Sequence, residues 1–143
     1  MIALDTNLLV YAHRADMPQH RVAKVVLSEL AEGSRPWAIA WPCIHEFFAV
    51  MTSGKFIRLS PPRIAWLAIR NVVASPSLRL IGEGSNHLQW LARFVERGNV
   101  AGGGIHDARI AAICLAHGVN ELWTADRDFS RFPELKTHNP LAA

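Results

Sequence analysis

A chain of 143 residues is long enough to bury one sizeable hydrophobic core and short for two, so a single domain over residues 1–143 is expected. With 50% apolar and 19% charged residues it is globular in composition, which excludes a disordered or low-complexity chain. The net charge of +3 rests on twelve arginines and three lysines; arginine suits an anionic partner, but these are spread along the chain and define no patch. Cys43 and Cys114 are the only cysteines and have no CxxC or CxxH spacing, so they read as buried free thiols. No apolar run approaches the ~20 residues that span a bilayer. The amino terminus enters at an apolar strand with no basic leader, and a soluble, cytoplasmic protein is expected.

Along the chain, apolar runs alternate with stretches of helical period, the pattern of a parallel sheet covered by helices. Residues 1–4 form a first strand and 8–13 a first helical turn or two. Asp16 and Pro18 suit a helix start; Val22, Val25, Val26 and Leu30 then give an amphipathic helix ended by Gly33. Residues 37–41 make the second strand, and Pro42 hands over to an apolar helix over 43–52. Ser60, Pro61 and Pro62 open a helix in which Ile64, Leu67 and Ala68 face the core. A third strand covers 78–81. Ser85 caps a helix with Leu88, Leu91, Ala92 and Val95 at helical spacing, stopped by Gly98. Gly102, Gly103 and Gly104 open a helix over 105–117, closed by Gly118; a fourth strand spans 121–124 and a brief fifth lies near 137–139. The five tryptophans, Trp37, Trp41, Trp66, Trp90 and Trp123, fall mostly at core-like positions.

Four of the twelve carboxylates sit where they converge. Asp5 follows directly on the first strand and Asp126 on the fourth, so parallel strands project both from one edge of the sheet. Ligands of open α/β sheets bind outside that edge. Glu46 lies one turn into the helix after the second strand, between Ile44 and Phe47, Phe48; it reads either as a partly exposed helix position or as a third member of the rim. Asp107 falls in the first turn of its helix, where the dipole favours an acid whether or not it has a further role. Helix amino termini face the same edge as strand carboxyl ends, which brings all four acids together. Carboxylates so crowded raise one another's pKa and require a cation. Hard ions such as Mg²⁺ or Mn²⁺ prefer oxygen ligands, whereas the histidines lack zinc-ligand spacing. An ion held this way suits hydrolysis of phosphate esters. His45, His106 and Arg109 flank the acids, with Arg109 and His106 able to touch substrate instead.

"LDTN" at 4–7, the Glu in "IHEFFAV" at 44–50, "HDARIAA" at 106–112 and "TADRDF" at 124–129 resemble the four acidic blocks of the PIN domain, especially VapC toxins of bacterial type II toxin–antitoxin pairs. The resemblance spans nearly the whole chain. It implies a PIN-like three-layer α/β/α fold with a twisted parallel sheet of about five strands. It also implies a Mg²⁺- or Mn²⁺-dependent endoribonuclease acting on RNA. Asp5 and Asp107 match the family's principal metal ligands, Glu46 and Asp126 its second and fourth acids, and Thr124 the hydroxyl residue that orients water or an acid. Thr6 and Asn7 fix the loop around Asp5, and Asp128 is accessory at most. A VapB-like antitoxin is the implied partner, taken helix-in-groove by helices around 43–74, with a homodimer formed through another face and no membrane involved. The triple glycine gives the Asp107 helix a loose lead-in, which makes the placement of that acid depend on bound metal. Competing readings are a catalytically silent PIN-like partner-binding protein and a PIN-fold DNA nuclease. A receiver domain needs an early acidic pair and a late lysine, which this chain does not place.

Overall fold

The computed structural model describes residues 1–54 and 58–142. Five short strands, β1 (Ile2–Leu4), β2 (Trp37–Ala40), β3 (Leu78–Ile81), β4 (Glu121–Trp123) and β5 (Lys136–His138), pair in the order β3-β2-β1-β4-β5, and every pair is parallel. Six helices connect them: α1 (Thr6–His13), α2 (His20–Glu32), α3 (Trp41–Thr52), α4 (Pro62–Val73), α5 (His87–Glu96) and α6 (Gly104–Ala116). A 3₁₀ turn, Arg127–Arg131, precedes β5. The chain steps outward from β1 through β2 to β3, then returns across the sheet to β4 on the other side of β1. Right-handed crossovers taken in opposite directions put helices on opposite faces. Accordingly α1 packs on α2 and α3, and α3 on α4, while α5 packs on α6. The result is the expected three-layer α/β/α arrangement. Strand order reverses between β1 and β4, where the two departing loops diverge and leave a crevice.

The elements that frame this crevice are the most enclosed. β2 is buried at every position, as a strand covered on both faces must be. Ala111, Ala112, Ile113 and Cys114 are buried in succession, so α6 is enclosed on all sides for a full turn. Cys43 and Cys114 are both buried free thiols, and burial pushes the Cys114 thiol up to about 12. Among the described residues no helix is long and apolar enough to cross a membrane.

Several elements differ from the sequence expectations, each for a physical reason. Trp41 opens α3 instead of ending β2, because Pro42 in the first turn pre-sets a helix start and Ala40 becomes the cap. Helix α1 begins at Thr6, two residues early, because Asp5 caps it. Ser85 caps nothing: Asn86 precedes α5, without a side-chain cap bond. In α4, Ile64 and Leu67 point outward and Ala65, Ile69 and Val72 are buried. This helix carries two apolar stripes, and periodicity alone cannot say which one is buried. In α5, Leu88 is 76% exposed and Val95 is also exposed; Phe94 is the buried side chain. The tryptophans divide as well. Trp37 is buried, with its Nε1–H donating to Ser77 Oγ at 3.1 Å, whereas Trp41 and Trp66 are exposed. Of the stretch 43–74 expected to form a groove, residues 55–57 lie outside the described residues.

Candidate functional site

Asp5 leaves β1 in an extended conformation and caps α1, its Oδ1 accepting from the Thr6 amide at 2.8 Å. Its Oδ2 accepts from the Thr124 hydroxyl at 2.8 Å and from Asn7 Nδ2 at 3.4 Å, and the Cys43 thiol lies 3.6 Å from Oδ1. At 4% exposure this carboxyl is almost wholly removed from water. Burial pushes its pKa up to about 6, and the Glu46 charge adds to the rise, against the hydrogen bonds from Thr124 and Thr6. Thr124 follows directly on β4 and joins the two loops. Its Oγ1 accepts from Asn7 Nδ2 at 3.2 Å and from the Asp126 amide at 2.9 Å, and Asn7 Oδ1 accepts from the Ala125 amide at 3.1 Å. The crevice between β1 and β4 is thus laced shut at its base by Asn7 and Thr124. Thr6 contributes through its hydroxyl, which reaches the Cys43 carbonyl at 3.5 Å.

Asp126 caps the 3₁₀ turn, its Oδ1 accepting from the Asp128 amide at 2.9 Å. Asp107 stands opposite, in the first turn of α6. Carboxylate oxygens of Asp107, Asp126 and Asp128 lie within 4.8 Å of one another. Burial, and then the charge of Asp126, hold the Asp107 carboxyl above its ordinary range; Arg131 works the other way. Arg131 Nη2 donates to Asp107 Oδ2 at 3.0 Å. At the triple glycine expected to give a loose lead-in, Gly102 adopts positive φ (+54°), and Asp107 sits ahead of the enclosed run of α6, paired with Arg131. Gly104 lies beside this guanidinium: a Cβ there would fall 2.9 Å from Arg131 Nη1, at the movable end of that side chain.

All four expected acids, Asp5, Glu46, Asp107 and Asp126, line one cavity of about 280 Å³, together with Thr6, Asn7, Tyr11, Met17 and Ile110. Glu46 is exposed on α3 and reaches the cavity from that side. His45 turns away and lines a different groove, described below. His106 is exposed, and Arg109 is engaged by Glu83 at 2.7 Å. Asp128 is exposed, and its carboxylate lies within 4.8 Å of those of Asp107 and Asp126, although it does not line the cavity. The donor set is all oxygen, from clustered carboxylates with no histidine among them, and fits a hard divalent cation. Sequence reasoning missed Arg131. No neighbour in the sequence signals it: its place beside Asp107 arises where the 3₁₀ turn meets α6.

A second concavity, about 710 Å³, runs between α3 and α4 and is lined by Trp41, Ile44, His45, Phe48, Trp66, Ile69, Arg70 and Val73. It is almost entirely apolar in character, and Trp66 stands 56% exposed on its wall.

The PIN domain family model matches residues 2–135. The chain belongs to the PIN domain family. Among similar proteins, ribonuclease VapC43 of Mycobacterium tuberculosis is 32% identical over 99% of this PIN chain and 96% of its own length. Ribonuclease VapC31 of the same organism is 29% identical over 98% of this chain and 99% of its own. Solved structures show the same fold. VapBC2 from Rickettsia felis, bound to a DNA fragment from its promoter, aligns with a TM-score of 0.70 at 21% identity, covering 97% of this chain and 98% of that one. VapC20 of M. tuberculosis, described as a sarcin-ricin loop cleaving toxin, aligns at 0.67 and 17% identity, covering 91% and 93%. The four blocks that carry the resemblance in sequence thus surround the crevice of a PIN fold.

Proposed function

We propose that this chain is a Mg²⁺- or Mn²⁺-dependent endoribonuclease and the toxin of a VapBC-like toxin–antitoxin pair. The carrying observation is the meeting of Asp5, Glu46, Asp107 and Asp126 on one cavity in a PIN domain whose relatives are named VapC ribonucleases. In this reading those four acids hold the ion, and Asp5 and Asp107 are its principal ligands. The ion supplies positive charge to the scissile phosphate and acidity to the attacking water. Asp5 is suited to its part because Thr6, Asn7 and Thr124 lock its orientation, and its resistance to ionisation is relieved when a cation arrives. Thr124 is a positioning residue, since its hydroxyl donates to Asp5 and accepts from the Asp126 amide. As the water oxygen bonds to phosphorus and gives up a proton to solvent, the bond from phosphorus to the ribose oxygen on the far side breaks, and that oxygen takes up a proton from solvent. The enclosed base of the cavity keeps the acids in place through that exchange.

The partner in this reading is a cognate VapB-like antitoxin, and the protein works in the cytoplasm as a single PIN domain that forms a homodimer. The groove between α3 and α4 is assigned to an amphipathic antitoxin segment carrying acidic residues, because apolar walls there are joined by the Arg70 side chain. An exposed apolar surface of this kind is unusual on a free monomer.

Purified protein is expected to cut single-stranded or loop RNA with Mg²⁺ or Mn²⁺ and to stop in EDTA. Cleavage that survives the chelator overturns the metal mechanism. Single-stranded DNA of the same sequence, tested in parallel, separates a PIN-fold DNA nuclease from a ribonuclease. A protein that cuts neither is the silent partner-binding form.

A further inference from the structure

We propose that Arg131 contacts the substrate: its guanidinium, seated on Asp107 in this structure, takes an RNA phosphate oxygen once Asp107 is engaged by a divalent ion. The proposal rests on the ribonuclease reading and adds a residue to it.

Three features favour a transferable arginine over a fixed counter-ion. First, only one hydrogen bond ties it to the acid, Nη2 to Asp107 Oδ2 at 3.0 Å. The structural arginines of this protein are tied more fully. Arg97 makes three bonds to Glu134, and Arg109 engages Glu83 Oε2 through both Nε, at 2.9 Å, and Nη2, at 2.7 Å. Second, Arg131 has anchors that do not involve Asp107. Its Nε donates to the Asp128 carbonyl at 3.1 Å, and its guanidinium carbon lies 5.8 Å from the centre of the buried Phe132 ring. Releasing the carboxylate therefore leaves the group at the rim of the acidic cluster. Third, the fork lies against the start of α6, where a Cβ at residue 104 would fall 2.9 Å from Nη1, a contact that the end of this flexible side chain relieves by turning away.

The chemistry agrees with this placement. A guanidinium keeps its charge at every working pH, so it cannot serve as a base, but its planar fork matches phosphate oxygens. Beside five carboxylates, Asp5, Glu46, Asp107, Asp126 and Asp128, RNA would otherwise meet a repulsive field. A cation that can turn from carboxylate to phosphate offsets that repulsion in both states.

The test uses the full chain, comparing wild type with Arg131→Ala and Arg131→Lys, and with Arg97→Ala as a surface control. Mn²⁺ affinity is measured by calorimetry without RNA. Steady-state cleavage is measured at saturating Mn²⁺. Removing a positive charge from beside the ion site is expected to tighten Mn²⁺ binding in Arg131→Ala by roughly 3- to 10-fold. The same change is expected to lower kcat/KM on the order of 10²-fold, as loss of one pre-positioned donor does. Arg131→Lys keeps the charge without the fork, so it should bind Mn²⁺ like wild type and recover only part of the cleavage. Should Arg131→Ala melt early, Arg131→Gln, which keeps most of the stem, carries the same measurements. Tighter Mn²⁺ binding with unchanged kcat/KM makes Arg131 a counter-ion only and overturns the proposal, as does weaker Mn²⁺ binding. Wild type that cuts no RNA overturns the ribonuclease reading instead.

Discussion

The acid-lined crevice between β1 and β4 and the apolar groove between α3 and α4 break opposite rules of folding. One buries charge and the other exposes hydrocarbon. At the crevice, Asp5 is removed from water at a cost, which appears as a pKa of about 6 and is offset by the Thr6 amide and the hydroxyl of Thr124. At the groove, the large apolar side chains of Trp66 and Trp41 stay in water. Both features work against the stability of the isolated chain, and the proposed function gives each a counterpart from outside: a cation in the first case, a protein surface in the second. A buried charge demands a small, strongly bound ion, whereas exposed hydrocarbon gains only from a large complementary surface. The two sites are therefore separable by mutation.

The largest effect is expected at the crevice. Asp107→Asn keeps the shape of the side chain and removes its charge. It should lower RNA cleavage by more than the roughly 10- to 100-fold that loss of an outer hydrogen-bond partner costs a metal site, while Thr124→Val should fall inside that range. An Asp107→Asn protein that still cleaves and is still stabilised by Mg²⁺ in thermal scans would show that Asp107 is no ligand.

The groove is next. Trp66→Glu places a charge where an apolar, acid-bearing segment is assigned to sit, and a central aromatic anchor is typically worth ~2 kcal/mol or more, about 30-fold in affinity. Antitoxin binding by calorimetry should weaken by at least that factor, with RNA cleavage by the free toxin unchanged. If antitoxin binding survives while a dimer becomes a monomer, the groove is instead the face between two copies.

The smallest effect sharpens the cost of burying Asp5. Its folded pKa of about 6 lies above the unfolded value near 3.8, so ionising it opposes folding at neutral pH, and that opposition declines as pH falls from 6 toward 3.8. Without metal, wild type should therefore gain on Asp5→Asn by about 1 kcal/mol between pH ~7.5 and pH ~5, read as the change in their stability difference. His13, whose pKa is lowered by burial, acts in the opposite direction below its ordinary value of 6.5. It is common to both proteins and cancels. A difference that stays flat with pH would mean that the hydrogen bonds to Asp5 fully offset its burial.

Much of the crevice could be read locally. Asp5 and Asp126 are placed by the ends of two apolar runs, Asp107 by a helix start, and Thr124 by its position directly after β4. Strand ends and helix starts are encoded by neighbours a few residues apart, and parallel pairing then carries those positions to one edge of the sheet. The parallel pairing of the first four strands is implicit in their alternation with helices, whereas the order in which they lie is not.

Other features could be decided only when distant segments met. Periodicity offered two apolar stripes on α4, and packing against α3 chose Ala65, Ile69 and Val72 for the inside, leaving Trp66 for the groove. The same holds for Phe94 against Leu88 on α5. Arg131 is one of twelve arginines in sequence, and nothing within a few residues of it names Asp107 as its partner. That pairing exists because α6 and the 3₁₀ turn approach each other across the crevice, with Gly104 beside the fork. Backbone positions at element ends follow from short-range preferences. Which side chains face each other depends on how whole elements pack, and that is a property of the assembled chain.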